Sequence, residues 1–172
     1  MLLGTVVGVS SSLLSFPNPV NEKAARTVAA GVLLLCLLAL LPGLGWLTAP
    51  LAIGFLLRVA SGPRFSPLGL LATKLVAPRL GEPKLVPGPP KRFAQAIGAT
   101  LTSAAAIGYF GFDAGLLSRA LLALVIIAAG LESGFGLCLG CVLFRWLMRA
   151  GLIAEEICQE CNAVSLRYSQ NG

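Results

Sequence analysis

Cysteine is the residue type in this chain with the clearest capacity for chemistry, because four of its five cysteines form two CxxC pairs. Cys138 pairs with Cys141 and Cys158 with Cys161, and sixteen residues separate the two pairs. This spacing matches that of four-cysteine zinc sites. Thiols at positions i and i+3 also share one face of a helix, so a pair could form a disulfide, bind a soft metal or pass on a sulfur atom. The fifth cysteine, Cys36, is predicted to be a small core hydrophobe.

Three interpretations of the two pairs stay open at this point: a redox or sulfur-handling dithiol, a Cys₄ clip for zinc or another soft metal, and packing cysteines. Three glutamates beside the second pair should raise the pKa of its thiols, which favours metal binding or resting thiols there. Two arginines that follow the first pair favour thiolate character at Cys138 and Cys141. A reducing compartment would disfavour a permanent disulfide.

The chain contains no histidine. This removes the commonest general base and the commonest metal ligand, so Ser-His and Cys-His catalytic pairs and histidine-based zinc sites are excluded. Any chemistry must use cysteine, carboxylate, amine, guanidinium or hydroxyl groups, or a cofactor.

Glu132 is the second residue with chemical potential, because it is the one acid that splits two uncharged stretches, Ala120–Leu131 and Ser133–Phe144. A helix running through both stretches would place it near the middle of a bilayer, where an unpaired charge costs at least about 2.5–3.5 kcal/mol. We predict either a proton relay or ligand contact beside the thiols, or a neutral carboxyl hydrogen-bonded to a hydroxyl at similar depth. The candidate hydroxyls are those of Thr100, Thr102 and Ser103.

The composition defines the class of protein that must position these groups. The 172 residues are 56% hydrophobic and 12% charged, with a mean hydropathy of +0.86, whereas soluble domains carry roughly 25% charged residues. A soluble enzyme of the usual kind, an acidic disordered chain and a disulfide-rich miniprotein are excluded. The sequence predicts an all-α polytopic membrane protein of one domain.

Charge-free stretches predict four transmembrane helices. A Pro42-Gly43 turn divides the first long stretch into two helices. The second of these is short, so the Arg58 side chain is expected to snorkel to the membrane surface. The fourth helix is long enough to span the membrane with a tilt or a bend. The predicted spans are about Ala24–Leu41, Leu44–Ala60, Phe93–Phe112 and Leu116–Leu147. Residues 1–23 are expected to form an interfacial or loosely ordered segment, 24–150 the membrane domain, and 151–172 a tail that carries the second CxxC pair.

The distribution of basic residues predicts the orientation. With four spans, twelve of the thirteen lysines and arginines lie on one side and only Arg119 lies on the other. The positive-inside rule therefore places both termini and the central loop in the cytoplasm. We interpret the net charge of +6 as a consequence of this orientation and of contact between the basic residues and anionic lipid headgroups. Binding to nucleic acid is not expected, because no nucleic-acid-binding motif is present.

The central loop is expected to contain a short interfacial helix that begins at Ser66-Pro67, followed by an extended, stiff segment from Pro83 to Pro90. We interpret this loop as a linker, with docking of a soluble partner as the alternative. Near the thiols, Gly130/Gly134 and Gly136/Gly140 are GxxxG matches that predict close helix packing and a route to a homo-oligomer. The tail is expected to fold back so that the two CxxC pairs meet.

Five sequence segments together resemble a bacterial integral-membrane family known as domain of unknown function 4395. They are 17–26 (PNPVNEKAAR), 77–83 (APRLGEP), 91–96 (KRFAQA), 135–141 (FGLCLGC) and 158–162 (CQECN). The resemblance spans about residues 16–165. Val142 follows the second cysteine where many members carry an acid, which weakens any mechanism that needs a carboxylate there.

The resemblance implies a bacterial inner-membrane protein whose site is Cys138 and Cys141, with Cys158 and Cys161 as a second pair. It also implies a soluble thioredoxin-like or rhodanese-like partner, because some relatives are associated with such proteins. The leading hypothesis is a cytoplasmic-facing dithiol that exchanges electrons or sulfur with that partner and is not a stand-alone enzyme. The alternatives are a non-enzymatic Cys₄ zinc protein and a small transporter or channel subunit that uses Glu132.

Overall fold

A computed structural model describes residues 16–112 and 114–153 of the chain. The expectations for residues 1–15 and for the tail with Cys158 and Cys161 fall outside the described residues. This includes most of the predicted interfacial or loosely ordered N-terminal segment and the predicted meeting of the two CxxC pairs.

The described chain is mostly helical, which confirms the all-α class. Among the described residues, one pair of two-residue strands joins the segment before the first helix to the loop before the fourth helix, with Val20 opposite Val86 and Asn21 opposite Leu85. The elements in chain order are β1 (Val20–Asn21), α1 (Glu22–Ala39), α2 (Thr48–Ser61), α3 (Pro67–Leu71), β2 (Leu85–Val86), α4 (Gly88–Gly111), α5 (Gly115–Phe135) and α6 (Leu139–Arg149).

Helices α1, α2, α4 and α5 pack side by side, and the first three of them match the first three predicted helices closely. Small side chains let the helices approach: a Cβ on Gly98 of α4 would overlap the ring of Phe55 of α2. The core between the helices includes Cys36, Ala105 and Leu122, each at most 1% exposed. The prediction that Cys36 is a packing residue agrees with this position.

Two helical stretches, Gly45–Leu80 and Gly115–Phe135, are long and apolar enough to cross a membrane. Large apolar side chains also cover the outside of the bundle, for example Leu34, Ile53 and Ile127, each more than half exposed. An outward-facing apolar surface of this extent is typical of a protein that contacts lipid or another apolar partner.

The predicted fourth helix, Leu116–Leu147, is wrong as a single helix, because it is divided into α5 and α6. Gly136 takes the left-handed conformation with φ +70°, which glycine adopts without a steric penalty. Its N–H donates to the Glu132 carbonyl (3.0 Å), and the Leu137 N–H donates to the Leu131 carbonyl (3.2 Å). These bonds satisfy carbonyls at the end of α5 and terminate it.

The expectation that Arg58 snorkels is also wrong, since this residue is only 4% exposed. Its Nε donates to Oε1 of Gln95 (2.9 Å) and its Nη1 donates to Oγ of Ser66 (3.0 Å). The guanidinium also lies 4.3 Å from the centre of the Phe55 ring. Polar partners inside the bundle therefore hold the cation that the sequence assigned to the bilayer surface.

The segment between α2 and α4 agrees with the sequence in part. The Ser66 side chain caps α3 by accepting from the Gly69 N–H, and Pro67 is the first helical residue. The predicted extended segment Pro83–Pro90 is shorter than expected, because α4 already begins at Gly88. Proline is favoured in the first turn of a helix, so the final prolines belong to α4.

Candidate thiol site

The candidate site lies at the end of the bundle where α1 and α4 begin and α5 finishes. Arg26 of α1 reaches across to this end of α5: its Nη2 donates to the carbonyls of Ser133 (3.1 Å) and Gly134 (2.9 Å). The last carbonyls of a helix lack partners within the helix and carry partial negative charge. Arg26 therefore fixes the end of α5 and the turn that follows.

Cys138 is the residue that immediately precedes α6, with φ −87° and ψ 104°, and Cys141 lies in the first turn of α6. The Cys138 carbonyl accepts the first bond of the new helix from the Val142 N–H at 3.1 Å. The sequence placed both thiols inside one long helix, and that placement is wrong for Cys138. The N-terminal end of a helix presents free N–H groups and positive partial charge, which stabilise a thiolate.

The two thiols are in hydrogen-bond contact, and they lie beyond the apolar stretch of α5. The hydrogen bond donated by the Cys141 thiol lowers the pKa of Cys138, and the charge of Lys91 lowers it further; burial and the charge of Glu132 oppose this but do not reverse it. The same hydrogen bond raises the pKa of Cys141, together with burial. Cys138 is therefore the thiol that ionises first, with Cys141 as its hydrogen-bond donor.

The two thiols also differ in solvent exposure, and the thiol with the lower pKa is the less exposed one. Cys138 is 8% exposed and lines a cavity inside the bundle, whereas Cys141 is half-buried. The thiol with the lower pKa thus faces inward, and the thiol with the higher pKa is the easier one to reach from outside.

Glu132 lies one turn before the end of α5 rather than in the middle of a continuous span. Its Oε1 is 2.6 Å from Nζ of Lys91, and the two side chains are 16% and 8% exposed. The hydroxyl partners expected for Glu132 are engaged elsewhere: Thr100 donates to the Ala96 carbonyl and Thr102 to the Gly98 carbonyl. The prediction of a neutral carboxyl held by one of these two threonines is therefore wrong.

Lys91 is the residue of this site that sequence reasoning misses, because nothing in its local sequence distinguishes it from the other basic residues on the same side of the membrane. A carboxylate in an apolar helix needs a counter-charge, so the sequence indicates that Glu132 has a basic partner without indicating which one. The choice among the cations could not be made from local spacing, since Lys91 and Glu132 are forty-one positions apart in the sequence.

Helix α6 packs against the first turns of α4. A Cβ on Gly140 would lie 2.5 Å from the Cβ of Ala94, and the rings of Phe93 and Phe144 are 5.5 Å apart between centres. By contrast, a Cβ on Gly130 or Gly134 would meet no atom of the described residues within 4 Å. The expected close packing of the glycines is thus found at Gly140, and among residues 16–112 and 114–153 it is not found at the Gly130/Gly134 pair.

The structure brings three of the predicted site residues together: Cys138, Cys141 and Glu132. Within residues 16–112 and 114–153, however, no three Cys, Asp or Glu side chains are arranged so that they could hold one metal ion. The zinc hypothesis needs Cys158 and Cys161, which lie outside the described residues, so it stays a prediction. The transport hypothesis for Glu132 also stays a prediction.

The fold and site define a bundle of apolar helices with a CxxC pair at the N-terminal end of its last described helix. A family model described as domain of unknown function (DUF4395) matches residues 20–149. The chain belongs to this family, as its sequence motifs indicated. The match contains Cys138 and Cys141 and ends before Cys158. No curated protein and no solved structure matches the chain.

Proposed function

We propose that the protein is a four-span membrane protein whose Cys138–Cys141 pair exchanges electrons with a soluble thioredoxin-like protein. The observation that carries this proposal is the arrangement of the pair: two hydrogen-bonded thiols at a helix N-terminus, one with a lowered pKa and the other partly exposed. Dithiols with these properties are typical of thiol–disulfide exchange. A sulfur relay with a rhodanese-like protein is the variant of this proposal that uses the same two thiols.

The four spans of this proposal are α1, α2, α4 and α5. At about 1.5 Å per residue, α4 and α5 extend roughly 36 and 32 Å, enough to cross a hydrocarbon core of about 30 Å. Helix α1 and the shorter α2 cross with help from the turn residues between them. Helix α6 crosses the first turns of α4 and lies along the membrane surface, with Arg145 and Arg149 in contact with lipid headgroups.

The same end of the bundle carries most of the basic side chains, which supports a cytoplasmic orientation. The thiols lie with the lysines and arginines that begin α1 and α4, whereas Arg119 lies in the first turn of α5 at the opposite end. By the positive-inside rule this end faces the cytoplasm of a bacterial inner membrane.

The proposed exchange begins with the oxidised Cys138–Cys141 disulfide and the reduced partner. A partner thiolate attacks Sγ of Cys141, the more accessible sulfur, and Cys138 leaves as a thiolate. A low leaving-group pKa speeds this step. The partner's second thiol then closes the partner disulfide and releases Cys141. Two electrons and two protons pass from the partner dithiol to the pair, so the balance is complete.

A trapping experiment tests this proposal. The full chain with Cys158 and Cys161 replaced by serine is oxidised and mixed with a bacterial thioredoxin that lacks its resolving cysteine. We expect a mixed disulfide at Cys141, retained in Cys36→Ser as the matched control and lost in Cys141→Ser. Absence of the adduct in the parent chain, or its persistence in Cys141→Ser, would contradict the proposal.

A further inference from the structure

A cavity of about 310 Å³ lies between α1, α4, α5 and α6, directly beside the candidate thiol site. Its polar groups are few and include Cys138, Glu132 and Gln95. The remaining lining is apolar, with side chains such as Val28, Phe55, Leu101 and Val125. Pockets that bind small ligands typically measure about 300–1,000 Å³ and combine an apolar lining with a few polar groups.

The cavity is elongated along the helices. On α5 its lining runs from Leu124 to Glu132 and on α1 from Ala25 to Val32, which corresponds to about 10–12 Å of helix at the usual rise. One end of the cavity therefore lies at the thiol and the carboxylate, and the other lies deeper between apolar side chains.

The cavity also reaches the apolar outer surface of the bundle. Leu124 and Ile127 contribute to its lining and are 53% and 56% exposed. In the four-span arrangement these side chains face the hydrocarbon, so a lipophilic molecule can enter laterally from the bilayer without passing through water.

We propose that this cavity binds a lipid-soluble quinone that oxidises the Cys138–Cys141 dithiol. The inference rests on the proposed function, because it supplies the acceptor for the electrons that the soluble partner delivers. A quinone combines an apolar ring, which fits the lining, with carbonyl oxygens, which match the polar groups beside Cys138. An acyl chain would use the apolar lining but neither the thiol nor the polar groups.

The redox step balances without a further reactant. Sγ of Cys138 bonds to a ring carbon of the quinone, and Sγ of Cys141 then bonds to Sγ of Cys138. The sulfur–ring bond breaks with its electron pair moving into the ring. The dithiol loses two electrons and two protons, and the quinone gains both and leaves as the hydroquinone. Both protons come from the two thiols, and Glu132 is the carboxyl group that lines this end of the cavity beside Cys138.

A single-turnover experiment tests the inference on the full chain with Cys158 and Cys161 replaced by serine. The protein is reduced, freed of reductant and mixed anaerobically with a short-chain ubiquinone in detergent or nanodiscs. We expect one quinone to be reduced for each Cys138–Cys141 disulfide formed. Ala129→Leu, which fills the cavity, should slow quinone reduction by at least about tenfold, since small displacements at a reacting centre have effects of this size. The matched control Ile107→Phe changes an exposed residue outside the cavity and should leave the rate unchanged.

A second variant keeps the inference testable if Ala129→Leu fails to fold. In Cys141→Ser the second sulfur is missing, so a covalent quinone adduct should accumulate on Cys138 and be visible by mass spectrometry. An adduct confined to other cysteines, or quinone reduction that Ala129→Leu leaves unchanged, would overturn the assignment of the cavity.

The outcomes separate the two proposals. If thioredoxin is trapped but no quinone is reduced, the quinone site is overturned and the thiol exchange stays in place. The same conclusion follows if native mass spectrometry finds only lipid bound to the protein. Quinone reduction without thioredoxin trapping supports the quinone site and overturns the partner. Failure of both overturns the dithiol function itself.

Discussion

Lys91 and Glu132 form an ion pair across the end of the bundle, with Nζ of the lysine 2.6 Å from Oε1 of the glutamate. Lys91 belongs to the first turn of α4 and Glu132 to the last turn of α5, so the pair joins the start of one helix to the end of the next. Glu132 and Cys138 line the same cavity. The pair therefore contributes both to the packing of the bundle and to the charge around the thiol.

Lys91→Ala should lower the free energy of unfolding by about 3–5 kcal/mol, because it leaves a mostly buried carboxylate without a counter-charge. Thermal unfolding followed by circular dichroism in detergent measures the change. The matched control is Lys84→Ala at the Lys84–Glu22 pair, where the lysine side chain is 54% exposed and the expected loss is at most about 1 kcal/mol. Equal losses in the two variants would contradict the structural role of the Lys91–Glu132 pair.

Replacing both partners of the pair by methionine should restore most of the stability lost in Lys91→Ala. Apolar side chains of similar volume remove the unpaired charge and keep the packing. The same thermal unfolding measurement checks this, and a double variant that is no more stable than Lys91→Ala would show that the charges themselves are needed.

The two thiols should differ in the pH dependence of their alkylation. The pKa of Cys138 is lowered and that of Cys141 raised, so the fraction of reactive thiolate at Cys138 persists to lower pH. Iodoacetamide modification, measured peptide by peptide by mass spectrometry, should show a lower pH midpoint for Cys138. Lys91→Met removes a positive charge that favours the thiolate and should move this midpoint upward. A midpoint for Cys141 at or below that of Cys138 would contradict the assignment.

Arg26→Gln should loosen the turn between α5 and α6, because it removes the hydrogen bonds to the Ser133 and Gly134 carbonyls. Hydrogen bonds from charged groups contribute about 1.5–3 kcal/mol, so a measurable loss of stability and faster alkylation of Cys138 are expected. The control is Arg92→Gln, which removes an exposed bond to the Val59 carbonyl of α2 and leaves the bonds to the Ser133 and Gly134 carbonyls in place. If Arg92→Gln has the larger effect on Cys138 alkylation, the proposed role of Arg26 in the turn is incorrect.

Two glycine substitutions should have opposite signs. Gly140→Ala places a Cβ 2.5 Å from Ala94 and should destabilise the packing of α6 on α4 by about 1–3 kcal/mol. Gly134→Ala, within α5, places a Cβ more than 4 Å from every described neighbour and should be neutral or stabilising by up to about 1 kcal/mol. Thermal unfolding of both variants distinguishes the two positions, and a destabilised Gly134→Ala would reveal a contact with a second copy of the chain or with residues outside 16–112 and 114–153.

Much of the helical framework could be predicted from the sequence, because charges and the Pro42-Gly43 turn delimit the apolar segments. The first three predicted helices agree with α1, α2 and α4 to within a few residues at most ends. The break at Gly136 could not be placed, since several glycines cluster there and only one adopts positive φ. Because Gly136 ends α5, Cys138 is the residue before α6 and does not lie inside a helix as the sequence predicts.

The candidate site was predictable in its residues but not in its contacts. CxxC spacing and an acid in an apolar segment identified Cys138, Cys141 and Glu132 from local sequence. Lys91 and Arg26 become part of the site only through packing between α1, α4 and α5, which local spacing does not encode. The burial of Arg58 has the same origin, because its partner Gln95 lies on another helix.

A redox titration of the Cys138–Cys141 pair tests the central claim most directly. The full chain with Cys158 and Cys161 replaced by serine is equilibrated in a series of glutathione buffers, and the disulfide is quantified by mass spectrometry. The account predicts a reversible two-electron transition between the dithiol and an intramolecular Cys138–Cys141 disulfide. Thiols that stay reduced in every buffer, or one zinc ion bound by all four paired cysteines of the unsubstituted chain, would contradict it.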